Sequence, residues 1–407
     1  MVISIQKSKL LNQQQIQITG SKSESNRLLL LRALYPEISI DNVSNSDDSV
    51  LMQNALTSDQ DIVDIHHAGT AMRFLTAYFS IQADREVTLT GSSRMKERPI
   101  KILVEALRAL GASITYLENE GFPPIRIVGK KLTKRTVSLK ANVSSQYISA
   151  LLLIASRLEN GLELVLEGEI TSVPYIKMTL SLLNEVGMET RFIENTISVE
   201  PQTSNLEPKA FMVESDWSSA SYFYSVIALS EVGTEITIAS YKKQSLQGDS
   251  VLAELYQSFG VETHFTNTSL RLVKANQSTS KALSFHLSDA PDIAQTIAVT
   301  AFGLGIACRM TGLHTLKIKE TDRLVALKTE LEKLGATVTI TEATLDLKSS
   351  HKIESGISIA TYNDHRMAMA FAPLGLKTSI LIENAEVVSK SYPQFWEDFK
   401  AIGFDLK

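Results

Sequence analysis

The sequence predicts an α/β protein of two lobes, and three observations carry that expectation. Helical and strand-like stretches alternate along the whole chain. A short sentence made of a helix, a Gly and two brief strands is written several times over. The chain has 407 residues, more than one ordinary core holds, so two domains are expected.

The repeat is read most easily at its glycines. Val104 to Leu110 precedes Gly111, Leu182 to Val186 precedes Gly187, and Leu252 to Phe259 precedes Gly260. Leu327 to Leu334 precedes Gly335, and Trp396 to Ile402 precedes Gly403, so the glycines recur at roughly 70 residues. That period is too long for a solenoid of small units. Each Gly is expected to end its helix in the left-handed conformation and to have no catalytic role. Where a first copy belongs, Val50 to Leu56 is helical, but Thr57 to Asp61 follows and no strand pair precedes His66. The first unit is therefore abbreviated, and six units fill the chain, three to a lobe.

Composition narrows the class. Hydrophobic residues make up 44% and charged residues 21%, a soluble globular balance. No run approaches the roughly 20 apolar residues of a membrane span. Met1 to Leu11 alternates like a strand and lacks the charged and apolar regions of a signal peptide, so the cytoplasm is expected. Cys308 is the single cysteine, which excludes a disulfide framework and a cysteine-based zinc cage. A formal net charge of −5 argues against a general nucleic-acid binder, so cations that serve an anionic ligand must be concentrated locally.

They are concentrated at helix starts. Gly20 leads into Ser21-Lys22-Ser23-Glu24-Ser25-Asn26-Arg27 and the apolar helix Leu28 to Leu34, with Ser23 or Ser25 as the expected cap. His67-Ala68-Gly69-Thr70 precedes an apolar helix from Ala71 to Tyr78, with Thr70 as cap; a Walker phosphate loop is excluded because its Gly-Lys-Ser/Thr ending is missing. Arg94, Lys96, Glu97 and Arg98 precede Pro99, which suits a first helical turn. Ser144-Ser145-Gln146 and Thr171-Ser172-Val173-Pro174-Tyr175 open two further helices. Asp289 to Asp292, Asn363-Asp364-His365-Arg366 and Lys390-Ser391-Tyr392-Pro393 open three more.

One stretch is denser in charge than the rest: Lys319-Glu320-Thr321-Asp322-Arg323. Thr315, Lys317 and Lys319 alternate with Leu316 and Ile318 as in a strand, and Thr321 to Leu334 reads as an amphipathic helix. Glu320 and Arg323 then lie at a helix N-terminus, where the dipole favours an anion over a cation. Capping explains Ser, Thr, Asp and Asn before so many helices. It does not explain Lys22, Arg27, Arg98, Gln146, Lys319, Arg323, Arg366 and Lys390 at the same junctions, which points to an anionic ligand held by helix starts and fixed cations.

The segments Ser21 to Arg27, Ala68 to Arg73, Arg94 to Pro99, Lys319 to Arg323 and Asn363 to Ala368 resemble the signature segments of the 3-phosphoshikimate 1-carboxyvinyltransferase (EPSP synthase) family. The resemblance runs in order from Lys22 to Lys390, nearly the whole chain. It implies two domains of three βαβαββ units each, residues 1–19 with 216–407 and residues 20–215, closing over the active site. It also implies transfer of the enolpyruvyl group of phosphoenolpyruvate to the 5-hydroxyl of shikimate 3-phosphate, by addition and elimination, with release of phosphate.

By matching position, Lys22, Ser23, Arg27, Ser144, Ser145, Gln146, Ser172, Tyr175, Asp292, Thr315 and Lys319 would hold shikimate 3-phosphate. Lys22, Gly69, Arg98, Gln146, Arg323, Arg366 and Lys390 would hold phosphoenolpyruvate. Asp292 would orient the 5-hydroxyl and take its proton, Glu320 would move protons at the methylene carbon, and His365 would orient Glu320. Lys22 and Lys390 would neutralise the departing phosphate, with no metal or other cofactor. A monomer inhibited by glyphosate, with small-molecule substrates and neither nucleic acid nor membrane as partner, is the corresponding expectation.

Three positions depart from the family pattern: His67 stands where Asn is usual, Thr315 where Asn is frequent, and Lys317 where Arg is frequent. The rivals are a related transferase acting on a UDP-sugar and a non-catalytic phosphosugar-binding protein. The first uses a mobile-loop Cys, whereas Cys308 lies in the apolar, helix-like run Ala301 to Met310 and reads as a packed thiol. The second has no need of Asp292 and Glu320 together. An RNA-terminal phosphate enzyme with similar repeats would carry a more basic face.

Overall fold

The computed structural model describes residues 1–407 except 141–143, 169, 203–205 and 267. It is a mixed α/β protein whose chain divides into two compact units, Met1–Gly20 with Glu214–Lys407, and Ser21–Val213. Gly20, Glu214 and Ser215, expected with the second domain, lie in the first unit. There Gly20 bridges Ser215, and the Ser215 hydroxyl donates to the Ile18 carbonyl.

Each unit repeats one topology. In the second unit, strand Ile62–Asp64 runs parallel to Glu86–Thr90, which pairs antiparallel with Ile125–Val128, itself paired with Ser113–Tyr116. Helices Gly69–Ser80 and Lys101–Leu110 make the two crossovers, giving the order βαβαββ. The same order builds the sheet of Thr136–Lys140, Leu162–Glu167, Thr196–Val199 and Thr190–Ile193. In the first unit it builds two further four-stranded sheets, one of them around Ala282–His286 and Ala307–Thr311. The abbreviated first repeat is visible as a sheet of only two strands, Ile38–Asp41 and Lys209–Met212.

The repeated glycines close their helices as the pattern predicts. Gly111 and Gly187 have φ of 112° and 110°, a conformation that costs a residue with a Cβ appreciably. The inner helices have almost no exposed face. Gly69–Ser80 is buried at every residue and packs on Ser145–Ala155, which packs on Val173–Val186. Trp217–Leu229 is buried at every residue but Ser218 and packs on Ala294–Leu304, which packs on His365–Phe371. A helix buried on all sides belongs in a core.

Several local expectations are corrected. His314–Ile318 is a 3-10 helix and not a strand; Leu313 and Leu316 are fully buried three residues apart, while Ile318 is 59% exposed. Cys308 lies on strand Ala307–Thr311, because the helix before it ends at the left-handed Gly305; the run is apolar in both readings, and periodicity does not separate them. It is a packed thiol, and burial pushes it up to about 12. Ser21 caps the first helix, which already begins at Lys22, and Ala68 precedes the second without a side-chain cap. Pro99 lies outside helix Lys101–Leu110, where its carbonyl accepts from Arg73 and Tyr147. Lys390 ends the 3-10 helix Ala385–Lys390 and does not open a helix. Among the described residues, no helix is long and apolar enough to cross a membrane.

Candidate active site

Two clusters of helix starts hold the expected residues, one in each unit. In the first unit the centre is Arg323, the first residue of helix Arg323–Lys333, with a side chain only 2% exposed. A cation at this end opposes the helix dipole, and three carboxylates offset it. Arg323 donates from Nε to Asp364 Oδ2 at 2.6 Å, from Nη1 to Asp292 Oδ1 at 2.9 Å and from Nη2 to Glu320 Oε2 at 2.7 Å. Asp322 is the helix cap. Its Oδ1 accepts from the Leu324 and Val325 amides at 3.2 Å each.

Asp292 is shared by three cations. Besides Arg323, Arg366 Nη2 donates to Oδ2 at 3.2 Å and Lys319 Nζ lies 3.3 Å from Oδ1. Burial works against ionisation, but Arg366, Lys319 and Arg323 outweigh it and hold the carboxyl well below the usual carboxylate range. Arg366 is raised in turn, burial opposing and Asp292 prevailing.

Asp364 caps helix His365–Phe371 by accepting from the Arg366 amide at 2.9 Å while it braces Arg323. His365 is buried, with Nδ1 3.9 Å from Asp364 Oδ1. The two residues before that cap, Tyr362 and Asn363, are both left-handed, at φ of 54° and 55°. Such strain, roughly 1 kcal/mol or more per residue, persists where the surroundings hold it. Here Lys390 Nζ takes the Asn363 carbonyl at 2.7 Å. The Thr315 hydroxyl is buried with no hydrogen-bond partner among the described residues.

Sequence reasoning missed Ser218 and Asp249. Ser218 donates to Asp249 Oδ2 and accepts from Arg366 Nη2 at 3.3 Å. Burial lifts the Asp249 carboxyl to about 7, and the Asp292 charge adds to the rise. Neither residue lies beside the charged motifs, and a Ser in the first turn of Trp217–Leu229 looks like any cap-region hydroxyl.

The cluster in the second unit is richer in hydroxyls and poorer in carboxylates. Lys22, at the start of Lys22–Leu34, has Nζ 3.7 Å from Asp48 Oδ2. Arg27, one turn on, is 2% exposed and places its donors on the Ser23 carbonyl, the Thr179 hydroxyl and the Ser149 hydroxyl, at 2.8, 2.8 and 2.9 Å. Burial pulls this guanidinium down to about 10, against the opposing influence of Tyr175 and Glu24. Gln146 Nε2 reaches Thr70 Oγ1 at 3.2 Å, joining the starts of Ser145–Ala155 and Gly69–Ser80. Ser144 caps the former, and its Oγ accepts from the Gln146 amide. Ser172 holds the left-handed φ of 54° before helix Val173–Val186, and the Tyr175 amide donates to its carbonyl.

Gly69 meets Arg98 directly. A Cβ at this position would lie 2.5 Å from Arg98 Nη1, so only Gly admits the guanidinium so close to the helix start. Arg73, which the sequence reading had not used, donates to the Gly69 carbonyl at 2.9 Å and ties it to the Pro99 segment. Chemically, the second unit offers fixed cations and hydroxyls to an anion. The first offers carboxylates beside cations, which suits proton movement.

Comparison with known proteins agrees in kind. The sequence model of EPSP synthase (3-phosphoshikimate 1-carboxyvinyltransferase) matches residues 52–399. A 3-phosphoshikimate 1-carboxyvinyltransferase of Bacteroides fragilis is 47% identical over 397 residues, 96% of each chain. One of Actinobacillus pleuropneumoniae serotype 5b is 35% identical over 95% of this chain and 96% of its own. In fold, the chain is similar to EPSP synthase from Acinetobacter baumannii, with a TM-score of 0.80 at 21% identity, over 100% of this chain and 99% of that one. It is also similar to the enolpyruvyl transferase NikO from Streptomyces tendae, with a TM-score of 0.76 at 13% identity, over 100% and 98%. With a family model spanning most of its length and relatives this similar end to end, the chain belongs to the 3-phosphoshikimate 1-carboxyvinyltransferase (EPSP synthase) family.

Proposed function

We propose that this enzyme transfers the enolpyruvyl group of phosphoenolpyruvate to the 5-hydroxyl of shikimate 3-phosphate, giving 5-enolpyruvylshikimate 3-phosphate and phosphate on the route to aromatic amino acids. The observation that carries the reading is the Arg323 hub, which sets Asp292 and Glu320 on neighbouring nitrogens of one buried guanidinium. Addition delivers a proton to the methylene carbon as the 5-hydroxyl oxygen gives up its own proton to a base and attacks the adjacent carbon. Elimination takes a proton from the methyl group so formed as phosphate leaves. Glu320, held on Arg323 Nη2 at 2.7 Å, is the carboxylate we assign to proton transfer at the methylene carbon. Asp292, held ionised by three cations, orients the hydroxyl and takes its proton as the oxygen attacks.

Lys319 stands on the shikimate side of this assignment with Thr315, Ser144, Ser145, Ser172, Tyr175, Ser23 and Arg27. Lys22, Gly69, Arg98, Gln146, Arg366, Arg323 and Lys390 serve phosphoenolpyruvate, and glyphosate would compete there. Arg323 and Arg366 donors now on Asp292 are those an incoming carboxylate would take. A monomeric enzyme of the cytoplasm fits the reading.

The test is phosphate release from phosphoenolpyruvate with and without shikimate 3-phosphate; equal rates, or none in either, would sink the assignment. A second expectation concerns Gly69→Ala. The added methyl displaces Arg98, so KM for phosphoenolpyruvate should rise about tenfold with kcat within a few-fold. An unchanged KM would remove Gly69 and Arg98 from that site.

A further inference from the structure

The imidazoles of His66 and His67 face each other with their Nδ1 atoms 2.6 Å apart and their rings edge to face. Only one proton fits between two such nitrogens, so one ring donates and the other accepts. The geometry is held from outside: His66 is left-handed at φ 47°, its amide donates to Asp64 Oδ1 at 2.7 Å, and its carbonyl accepts from the Ser92 amide at 2.8 Å. His67 Nε2 lies 3.8 Å from Asp47 Oδ2, with the His67 side chain 21% exposed. His67 also stands two residues before Gly69, the residue against Arg98.

We propose that His67, paired with His66 and Asp47, sets the affinity for the anionic substrate by taking up a single proton; this rests on the function proposed above. With the pair neutral, His66 Nδ1–H donates to His67 and the His67 Nε2–H faces Asp47. Adding one proton moves the bridging hydrogen to His67, leaves His66 in its Nε2–H form, and makes His67 an imidazolium with donors toward both partners. A second proton would set two N–H groups against each other across that 2.6 Å gap, so the first uptake disfavours the second.

Charges near the pair among the described residues include Asp48 beside Asp47, Lys22 against Asp48, Asp64 on the preceding strand, and Arg73 and Arg98 around Gly69. The single uptake adds a positive charge next to the phosphoenolpyruvate site, in the pH range where imidazole titrates. An Asn at position 67 has no such charge to add.

The test compares kcat/KM for phosphoenolpyruvate across pH 6 to 8.5 in the parent and in His67→Asn, so that ionisation of the substrate cancels between them. The parent should lose about threefold to tenfold more than the variant as pH rises. Parallel profiles would overturn the proposal. If neither protein releases phosphate, the functional reading has failed, and the proton coupling is decided separately by imidazole nitrogen NMR of the parent and His66→Asn. Two-step titration of His67 that becomes one step in His66→Asn supports the pair; a single step in both refutes it.

Discussion

Replacing Glu320 with Gln should lower kcat by about a thousandfold while the dissociation constants for both substrates stay within a few-fold. The amide keeps the size and one acceptor for Arg323 Nη2 but carries no proton between the methylene carbon and the medium. General acid–base catalysis contributes roughly a hundredfold to ten-thousandfold, which sets the expected loss. Asp292→Asn should be weaker on chemistry and stronger on binding, because it removes the charge that Arg366, Lys319 and Arg323 share. Steady-state kinetics with equilibrium binding of each ligand separate the two. Turnover in Glu320→Gln within a few-fold of the parent would remove Glu320 from the proton path.

The largest effect on stability is expected at Arg323. Arg323→Leu leaves the fully buried Asp364 without its charged partner and takes one cation each from Asp292 and Glu320. Breaking a buried pair by removing one side costs about 3–5 kcal/mol, readable as a shift in the urea transition. Arg323→Lys keeps the charge but not the fork, so it should recover only part of that loss. A change below about 1 kcal/mol in Arg323→Leu would mean that water replaces the guanidinium.

The acid limb of stability should move as well. Asp292 in the folded protein lies below the usual carboxylate range, so its stabilisation is complete above about pH 4 and is lost as pH falls through the folded value. Removing Arg323 should shift that loss toward higher pH.

The candidate site was legible to the extent that it lies in dense local motifs. Lys22 to Arg27, Gly69 to Arg73 and Asp364 to Arg366 each carry their chemistry within one helical turn, where spacing translates into a shared face. Legibility failed where two readings share one pattern. The alternation from Thr315 to Lys319 fits a strand by eye, but Leu313 and Leu316 bury at the 3-10 interval. The run around Cys308 is apolar whether helix or strand, and the left-handed Gly305 decided it. The capping role of Asp322 is not legible from its identity alone, which a cap and a salt-bridging carboxylate share.

By itself, the sequence determined the α/β class, the helix-closing glycines and the concentration of cations at helix starts, because these depend on neighbours a few residues away. Only the tertiary structure decided what those cations face. Arg323 is neutralised by carboxylates 3, 31 and 41 residues distant, and Arg27 donates hydrogen bonds to hydroxyls 122 and 152 residues away. Ser218 and Asp249 joined Arg366 in the same way. Coulomb and hydrogen-bond energies depend on distance through space, and for groups this far apart in the chain that distance exists only once the helices have packed.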